Sequence, residues 1–405
     1  MGRLAAVLIL FLKPLYSLLV NFPFNSAIKY AWLIVLSFCL SVASCRIFRP
    51  LVYNVPDEKD GKRFPYRVVH SSDSNLVFHF KEPMDTLPEI RKIKVDNRSI
   101  NSTGVNLNDF VKLHRTLSFL IIRNDSILYQ YYAKDLSRET RVSSFSISKA
   151  YVAMLVGIAI QDKLIKGVDQ PITDFISEWR GRKGYNLITI KNLLRHTSGL
   201  KFTTSMANVL SDQSQFYYMG GLRQRVLNAQ IEEEPNRHFK YQSENTCLLD
   251  LILERVTHKT LSAYLEEKIW KPIGTEAPAF WSIDSEDSTA IEKSFCCLNA
   301  RTVDYAKFSR LLLRKGNWNG KQLIPENWIK EATTSTTDNG GKISYGYGMG
   351  LGPKAYGSFF PAGLFGQFLY VYPKKNVIIV RFGNSTVPYV PDYWKEVMLQ
   401  IVDQL

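Results

Sequence analysis

Two strand–turn–strand patterns stand at opposite ends of the long C-terminal part of this chain. Leu117–Ile122 and Ile127–Tyr132 are rich in aliphatic, β-branched and aromatic residues, and Arg123-Asn124-Asp125-Ser126 separates them as a turn. Phe368–Tyr372 and Val377–Phe382 repeat the pattern around Pro373-Lys374-Lys375-Asn376. Between the two hairpins the apolar residues recur at helical spacing. Strands at both ends with helices in the middle predict an α+β fold whose sheet collects both ends of the domain.

The helical middle is uneven. Ser143–Asp162 reads as a helix, with Ala150, Val152, Ala153, Leu155, Val156 and Ile158 as a buried wall, and so as a central element. Short helices are expected at Asn106–His114, Pro171–Glu178 and Thr189–Arg195, then at Thr246–Val256 and Leu261–Glu267. Ala300–Lys315 is amphipathic, Gly316–Gly320 is a turn, and Tyr393–Leu405 is a closing helix. Residues 46–105 are polar and proline-containing, a lead-in with a short strand at Asn75–Phe80. Residues 201–235 are irregular, as a functional loop or lid would be. The organisation expected is a segment 1–45, a lead-in 46–105 and one domain over 106–405.

Residues 1–45 are far more apolar than the rest. The run from Tyr30 to Ser44 is too short for an ordinary membrane span but suits the apolar core of a signal peptide. It ends in Val42-Ala43-Ser44-Cys45, which resembles a bacterial lipobox, and predicts an exported domain anchored to a membrane through lipid on Cys45. The other reading is a plain signal anchor in which Cys45 is incidental. The formal net charge of +14 is spread along the chain without a nucleic-acid-binding motif, so nucleic acid is not an expected partner. Five cysteines are too few for a disulfide-built scaffold. Adjacent Cys296 and Cys297 are expected to remain unbridged, because a bond between neighbours is geometrically demanding. The six histidines are scattered, with no HExxH and no CxxC pair, so a zinc enzyme is not expected from spacing.

Chemistry concentrates elsewhere. There is no GxSxG elbow and no phosphate-binding GxxxxGK[ST] loop. Ser146 and Lys149 open the apolar helix three residues apart, on one face of a turn. A partly desolvated lysine loses its proton readily and can serve as base for the serine; a capping serine with a surface lysine is the structural alternative. Tyr241, just before the next long helix, can pass a proton to a leaving group. Ala362-Gly363-Leu364-Phe365-Gly366-Gln367 leads into an apolar strand, where glycines let backbone approach a substrate and offer an oxyanion-binding N–H.

Ser146-x-x-Lys149, Leu194-Arg195-His196-Thr197-Ser198-Gly199-Leu200, Tyr241-x-Ser243 and a glycine-rich strand follow one another in that order. This resembles the serine β-lactamase and penicillin-binding-protein superfamily, on its class C β-lactamase-like branch. Ile269–Gly274, Ala279–Asp284 and Gly316–Gly320 are similar to the 6-aminohexanoate-dimer hydrolase group of that branch. The resemblance implies an antiparallel sheet flanked by helices, a helical domain beside it, and no cofactor. It implies an acyl-enzyme on Ser146, with Lys149 and Tyr241 sharing base and acid duty. The oxyanion would meet the N–H of Ser146 and one near Gly366 and Gln367. His196 would be structural, and Ser243, Tyr217 and Tyr218 are candidate substrate contacts. In place of the family's third motif stands Leu364-Phe365-Gly366, without the usual cation, which suits substrates that make little demand for a bound carboxylate.

The expected function is therefore a serine hydrolase acting on a small ester, amide or peptide. The enzymatic alternative is a peptidoglycan-directed D,D-peptidase or esterase. The alternative from another class is a non-catalytic ligand- or cell-wall-binding module on the same fold.

Overall fold

The computed structural model describes residues 56–57, 59–82, 90, 92–97, 102–206, 208, 210–384 and 391–405. The apolar N-terminal segment and Cys45 lie outside the described residues. Among those described, no helix is long and apolar enough to cross a membrane. The chain divides into two compact units, one of Met1–Pro56 with Thr203–Gly220, the other of Asp57–Phe202 with Gly221–Leu405.

In the first unit the described structure is the helix Asp212–Tyr218, capped by the Ser211 side chain, which accepts from the Ser214 N–H. Asp212 accepts from the Thr203 amide at 2.8 Å and hydroxyl at 2.7 Å. The Tyr217 and Tyr218 rings meet edge to face at 4.8 Å.

The second unit holds the expected sheet. Its antiparallel order is Gly350–Leu351, Phe359–Phe360, Gln367–Tyr372, Val377–Gly383, Thr116–Arg123 and Ser126–Tyr132, with Ala362–Gly363 pairing beside Gln367 and Phe368. The two hairpins read from the sequence are thus adjacent, joined where Val377–Gly383 pairs with Thr116–Arg123. Asn124 and Asp125, at φ 53° and 61°, make the first hairpin's turn in the left-handed form that matches strand twist. Arg310 grips that turn through two bonds to the Asp125 carboxylate, at 2.7 and 2.9 Å. One face of the sheet is covered by the helices Leu107–Leu113 and Pro391–Gln404, with Phe110, Phe119, Ile379, Trp394 and Met398 in their common core. The other face meets the helix Thr302–Leu313, where the Tyr305 and Phe382 rings lie 4.8 Å apart.

Beside the sheet stands the helix Ser148–Gln161, buried from Ser148 through Ala159. A helix apolar all round has no face for solvent and must lie in the middle of its neighbours. It packs on Ser243–Thr257 and on Glu326–Ala332, from which Trp328 donates its indole N–H to the Ala153 carbonyl at 3.1 Å. Its N-terminal turn, Phe145–Ile147, is a 3₁₀ turn.

Several expectations are corrected. The lead-in is woven into this unit: Tyr66–Val69 pairs with Ala279–Ser282, which continues through Leu298–Arg301 to Arg141–Ser143 as a second sheet. The strand expected at Asn75–Phe80 is absent there, and Ser74–Leu76 is a single 3₁₀ turn. The stretch 201–235 contains the helices Asp212–Tyr218 and Leu222–Leu227. Cys296 and Cys297 are bonded to each other, against the sequence expectation. Cys297 has φ 70°, and this left-handed turn lets consecutive side chains face one another. Cys247 is buried and free.

Candidate active site

Ser146 sits in the 3₁₀ turn that opens the central helix, directly after Phe145, whose φ of 44° is left-handed for a residue with a side chain. Such strain persists only where surroundings over-determine it. Here the Phe145 ring is held edge-on against Phe365 at 5.3 Å. Ser144 is fixed as well: its hydroxyl bonds with that of Ser148 at 2.7 Å and accepts from the Leu298 N–H at 3.1 Å.

One turn on, Lys149 returns to Ser146. Its Nζ lies 3.1 Å from Ser146 Oγ and 2.9 Å from the Phe295 carbonyl, to which it donates. The residue is 3% exposed. Burial, partly opposed by the neighbouring Cys247, brings the ammonium pKa down from 10.5 to about 7. Lys149 Nζ also stands 4.8 Å from the centre of the Tyr241 ring.

Tyr241 enters from the segment before Ser243–Thr257. Desolvation pushes its phenol up to about 12, partly opposed by the Ser146 hydroxyl. The residue is 38% exposed, toward the cavity that it lines; water there works against the shift, and its direction holds. At neutral pH the phenol is protonated and able to donate.

Behind Tyr241 lies His196, the left-handed C-cap of Ile190–Arg195, its ring 4.7 Å from that of Tyr241. Nδ1 accepts from Asn245 at 3.2 Å, which leaves Nε2 to donate to the Tyr345 hydroxyl at 3.2 Å. Burial, helped by Lys149, depresses its pKa to about 3, so the imidazole is neutral. His196 therefore positions two tyrosines and carries no charge.

Ser146 and Tyr241 open on a cavity of about 340 Å³. Phe239, Tyr345, Met349 and Phe360 form its walls, and Lys342 and Lys395 also line it. The remaining side is the strand edge Ala362-Gly363-Leu364. A Cβ on Gly363 would stand 2.5 Å from the Ser144 carbonyl and 3.2 Å from the Ser146 nitrogen, so only glycine allows this strand to touch the nucleophile's backbone. Gly366 and Gln367, the sequence candidates, are not among the described lining residues of the cavity. Gly366 faces Arg381 and Trp394, and the Gln367 side chain is spent on Gly383, accepting from its N–H at 2.5 Å and donating to its carbonyl at 3.1 Å. The glycine that meets the nucleophile is Gly363, and the residues before it are Pro361 and Ala362, again without a cation.

Ser243 is buried as the first residue of its helix, and Tyr217 and Tyr218 belong to the other unit; none is among the described lining residues. Sequence reasoning missed Arg381, 1% exposed, which donates to the carbonyls of Phe365 at 3.0 Å and Gly366 at 2.6 Å and stacks on Trp394 at 3.5 Å. It braces the turn that carries the strand edge. Its signal was a lone charge in the otherwise apolar Val377–Phe382. Phe295 was missed too, since it acts through a carbonyl that every residue type has.

A serine hydroxyl touching a depressed-pKa lysine, a tyrosine beside them and a strand edge against the serine's backbone fit a serine hydrolase of the β-lactamase and penicillin-binding-protein type. Comparison with known proteins agrees. The profile of the family described as Beta-lactamase matches residues 112–400, and the chain belongs to that family. Among curated relatives, the 6-aminohexanoate-dimer hydrolase of Paenarthrobacter ureafaciens is 22% identical over 293 residues, covering 67% of this chain and 74% of that protein. Protein flp of Staphylococcus aureus is 21% identical over 318 residues, covering 71% of this chain and 63% of its own length. Among solved structures, a putative 6-aminohexanoate-dimer hydrolase from Bacillus anthracis superposes with a TM-score of 0.72 at 21% identity, over 84% of this chain and 89% of that one. A penicillin-binding protein from Bacillus halodurans gives 0.57 at 17% identity, over 74% and 99%.

Proposed function

We propose that the protein hydrolyses a small ester or amide through an acyl-enzyme on Ser146. The observation that carries this reading is the buried Lys149 Nζ, 3.1 Å from Ser146 Oγ, with its pKa brought to about 7. A lysine in that state is substantially neutral at physiological pH. It takes the Ser146 proton as Oγ bonds to the substrate carbonyl carbon. The resulting oxyanion meets the backbone N–H groups of Ser146 and of the strand edge at Gly363–Leu364. Tyr241, protonated, hands its proton to the leaving oxygen or nitrogen as that bond breaks, and recovers one through Lys149. Water then repeats the sequence on the acyl-enzyme, releasing the acid and restoring Ser146. The shared acid and base duty thereby divides, with Lys149 as base and Tyr241 as acid, because burial moves their pKa values apart.

The likeness to a protein named 6-aminohexanoate-dimer hydrolase supports hydrolysis of a small substrate. Export with attachment to a membrane through Cys45 is part of the proposal, motivated by the apolar run before that cysteine. The bond between Cys296 and Cys297 supports it, since disulfides persist in oxidising surroundings.

The test is hydrolysis of p-nitrophenyl acetate, with a fluorophosphonate as covalent probe. Turnover and labelling in the wild type, both lost in Ser146→Ala, support the proposal. A protein that neither turns over nor labels is a binding module on a hydrolase fold.

A further inference from the structure

We infer that the bonded pair Cys296–Cys297 positions Lys149 for catalysis through the Phe295 carbonyl, so that the hydrolase works at full rate only when the pair is oxidised. The inference rests on the hydrolase reading and adds an oxidative requirement to its base. Phe295 stands directly before the pair, and its carbonyl accepts from Lys149 Nζ at 2.9 Å. Leu298 stands directly after it. Its N–H donates to Ser144 Oγ at 3.1 Å, and its carbonyl accepts from the Ser144 N–H at 2.8 Å. The two flanks of the pair thus hold residues on either side of Ser146, with Ser144 before it and Lys149 after it.

A bond between neighbours closes a small ring around the peptide unit that joins them, and such a ring leaves little torsional freedom. It holds Cys297 at a φ of 70°, on the side that residues with a side chain avoid. The carbonyls of the pair are held as well. Trp281 donates its indole N–H to that of Cys296 at 3.0 Å, and the Ser282 N–H donates to that of Cys297 at 3.1 Å. These restraints set the direction of the peptide before the pair, whose carbonyl meets Lys149. A neutral amine has a single lone pair. One N–H donated to Phe295 turns that lone pair toward the Ser146 hydroxyl, 3.1 Å away. Without the bond Cys297 relaxes toward the ordinary backbone regions, the Phe295 carbonyl turns with it, and the lone pair loses its aim. The bond forms when the two thiols give two electrons and two protons to a disulfide oxidant, which leaves as two thiols. A dithiol reverses the exchange and departs as a cyclic disulfide. Both cysteines are buried, so the folded chain retains the bond once it has formed.

The test measures p-nitrophenyl acetate turnover and the rate of fluorophosphonate labelling in the full chain, with the state of the pair read by alkylation and peptide mass spectrometry. Wild type reduced with dithiothreitol, and the double variant Cys296→Ala with Cys297→Ala, should lose about tenfold or more in kcat with KM within about twofold. Reoxidation with glutathione disulfide should restore the wild type and leave the variant as it was. The double variant decides wherever the dithiol does not reach the buried pair. A Lys149→Ala background separates positioning from general packing, because chains with and without the bond should there label at the same slow rate. A double variant with kcat within about twofold of wild type overturns the inference. So does a loss of labelling that is as large without Lys149 as with it. A variant that does not fold makes the pair a staple for folding, which also overturns it. Failure of the hydrolase reading shows separately, as an oxidised wild type that neither turns over nor labels, and the inference falls with it.

Discussion

The two walls that meet at Ser146 are built in opposite ways. One is a single helical turn, in which Ser146 and Lys149 are brought together by their spacing alone. The other is the strand edge Ala362–Gly363, held in place by Arg381, which grips the following turn from two strands away, and by a glycine that lets two backbones touch. The first wall holds the groups that change protonation state. The second offers backbone, and its value is position. The difference teaches that a reactive group can be local in sequence while the surface that stabilises its product is assembled from distant residues.

This comparison can be broken experimentally, beginning with the largest effect. Ser146→Ala should lower kcat by about 10³-fold or more with little change in stability, read from single-turnover kinetics beside thermal unfolding. Equal activity would move the nucleophile to another residue. Gly363→Ala places a methyl 2.5 Å from the Ser144 carbonyl and pushes the strand edge away from the nucleophile. A misplacement of that size should cost about 10²-fold in kcat with a smaller change in KM. A loss below threefold would show that the second wall contributes little.

Arg381→Met tests the brace. It leaves buried carbonyls of His114, Phe365 and Gly366 without their donor. Denaturant unfolding should show a loss of roughly 3 kcal/mol, since each buried orphan costs about 1–3 kcal/mol before relaxation. An unchanged midpoint would mean that the turn is held by packing alone.

The pH dependence sharpens the first wall. Lys149 must be neutral to act, so kcat/KM for a neutral ester should fall about tenfold per unit below a midpoint near 7 and level off above it. A flat profile from pH 5 to 8 would exclude Lys149 as the base. Stability has a separate acid limb. His196 has a folded pKa of about 3 against 6.5 when exposed. The unfolded chain therefore binds the extra proton, and stability present above 6.5 is lost as pH falls toward 3. Replacing His196 by Asn should flatten that limb.

How much of this was legible before folding follows the same division. The central helix was readable because nearly every residue from Ala150 to Ala159 is apolar, and the contact of Lys149 with Ser146 because a helix fixes what stands three residues on. The hairpins were readable from alternation and turn residues. The sequence singled out Gly366 and Gln367 for the second wall, whereas the glycine packed on the Ser146 backbone is Gly363; both glycines precede the same apolar strand, and nothing local says which one faces Ser146. The Cys296–Cys297 bond was missed because it depends on a left-handed turn at Cys297, and nothing in the residue types announces one.

The sequence by itself brought Ser146 and Lys149 to one helical turn and set the need for one sheet to gather both hairpins, because each follows from short-range geometry or from apolar surface that must be buried. Tertiary structure alone decided which strand edge meets the Ser146 backbone, how far burial lowers the Lys149 pKa, and which side chains line the cavity. Those are sums over neighbours that converge from distant parts of the chain, and field, desolvation and contact depend on distance in space.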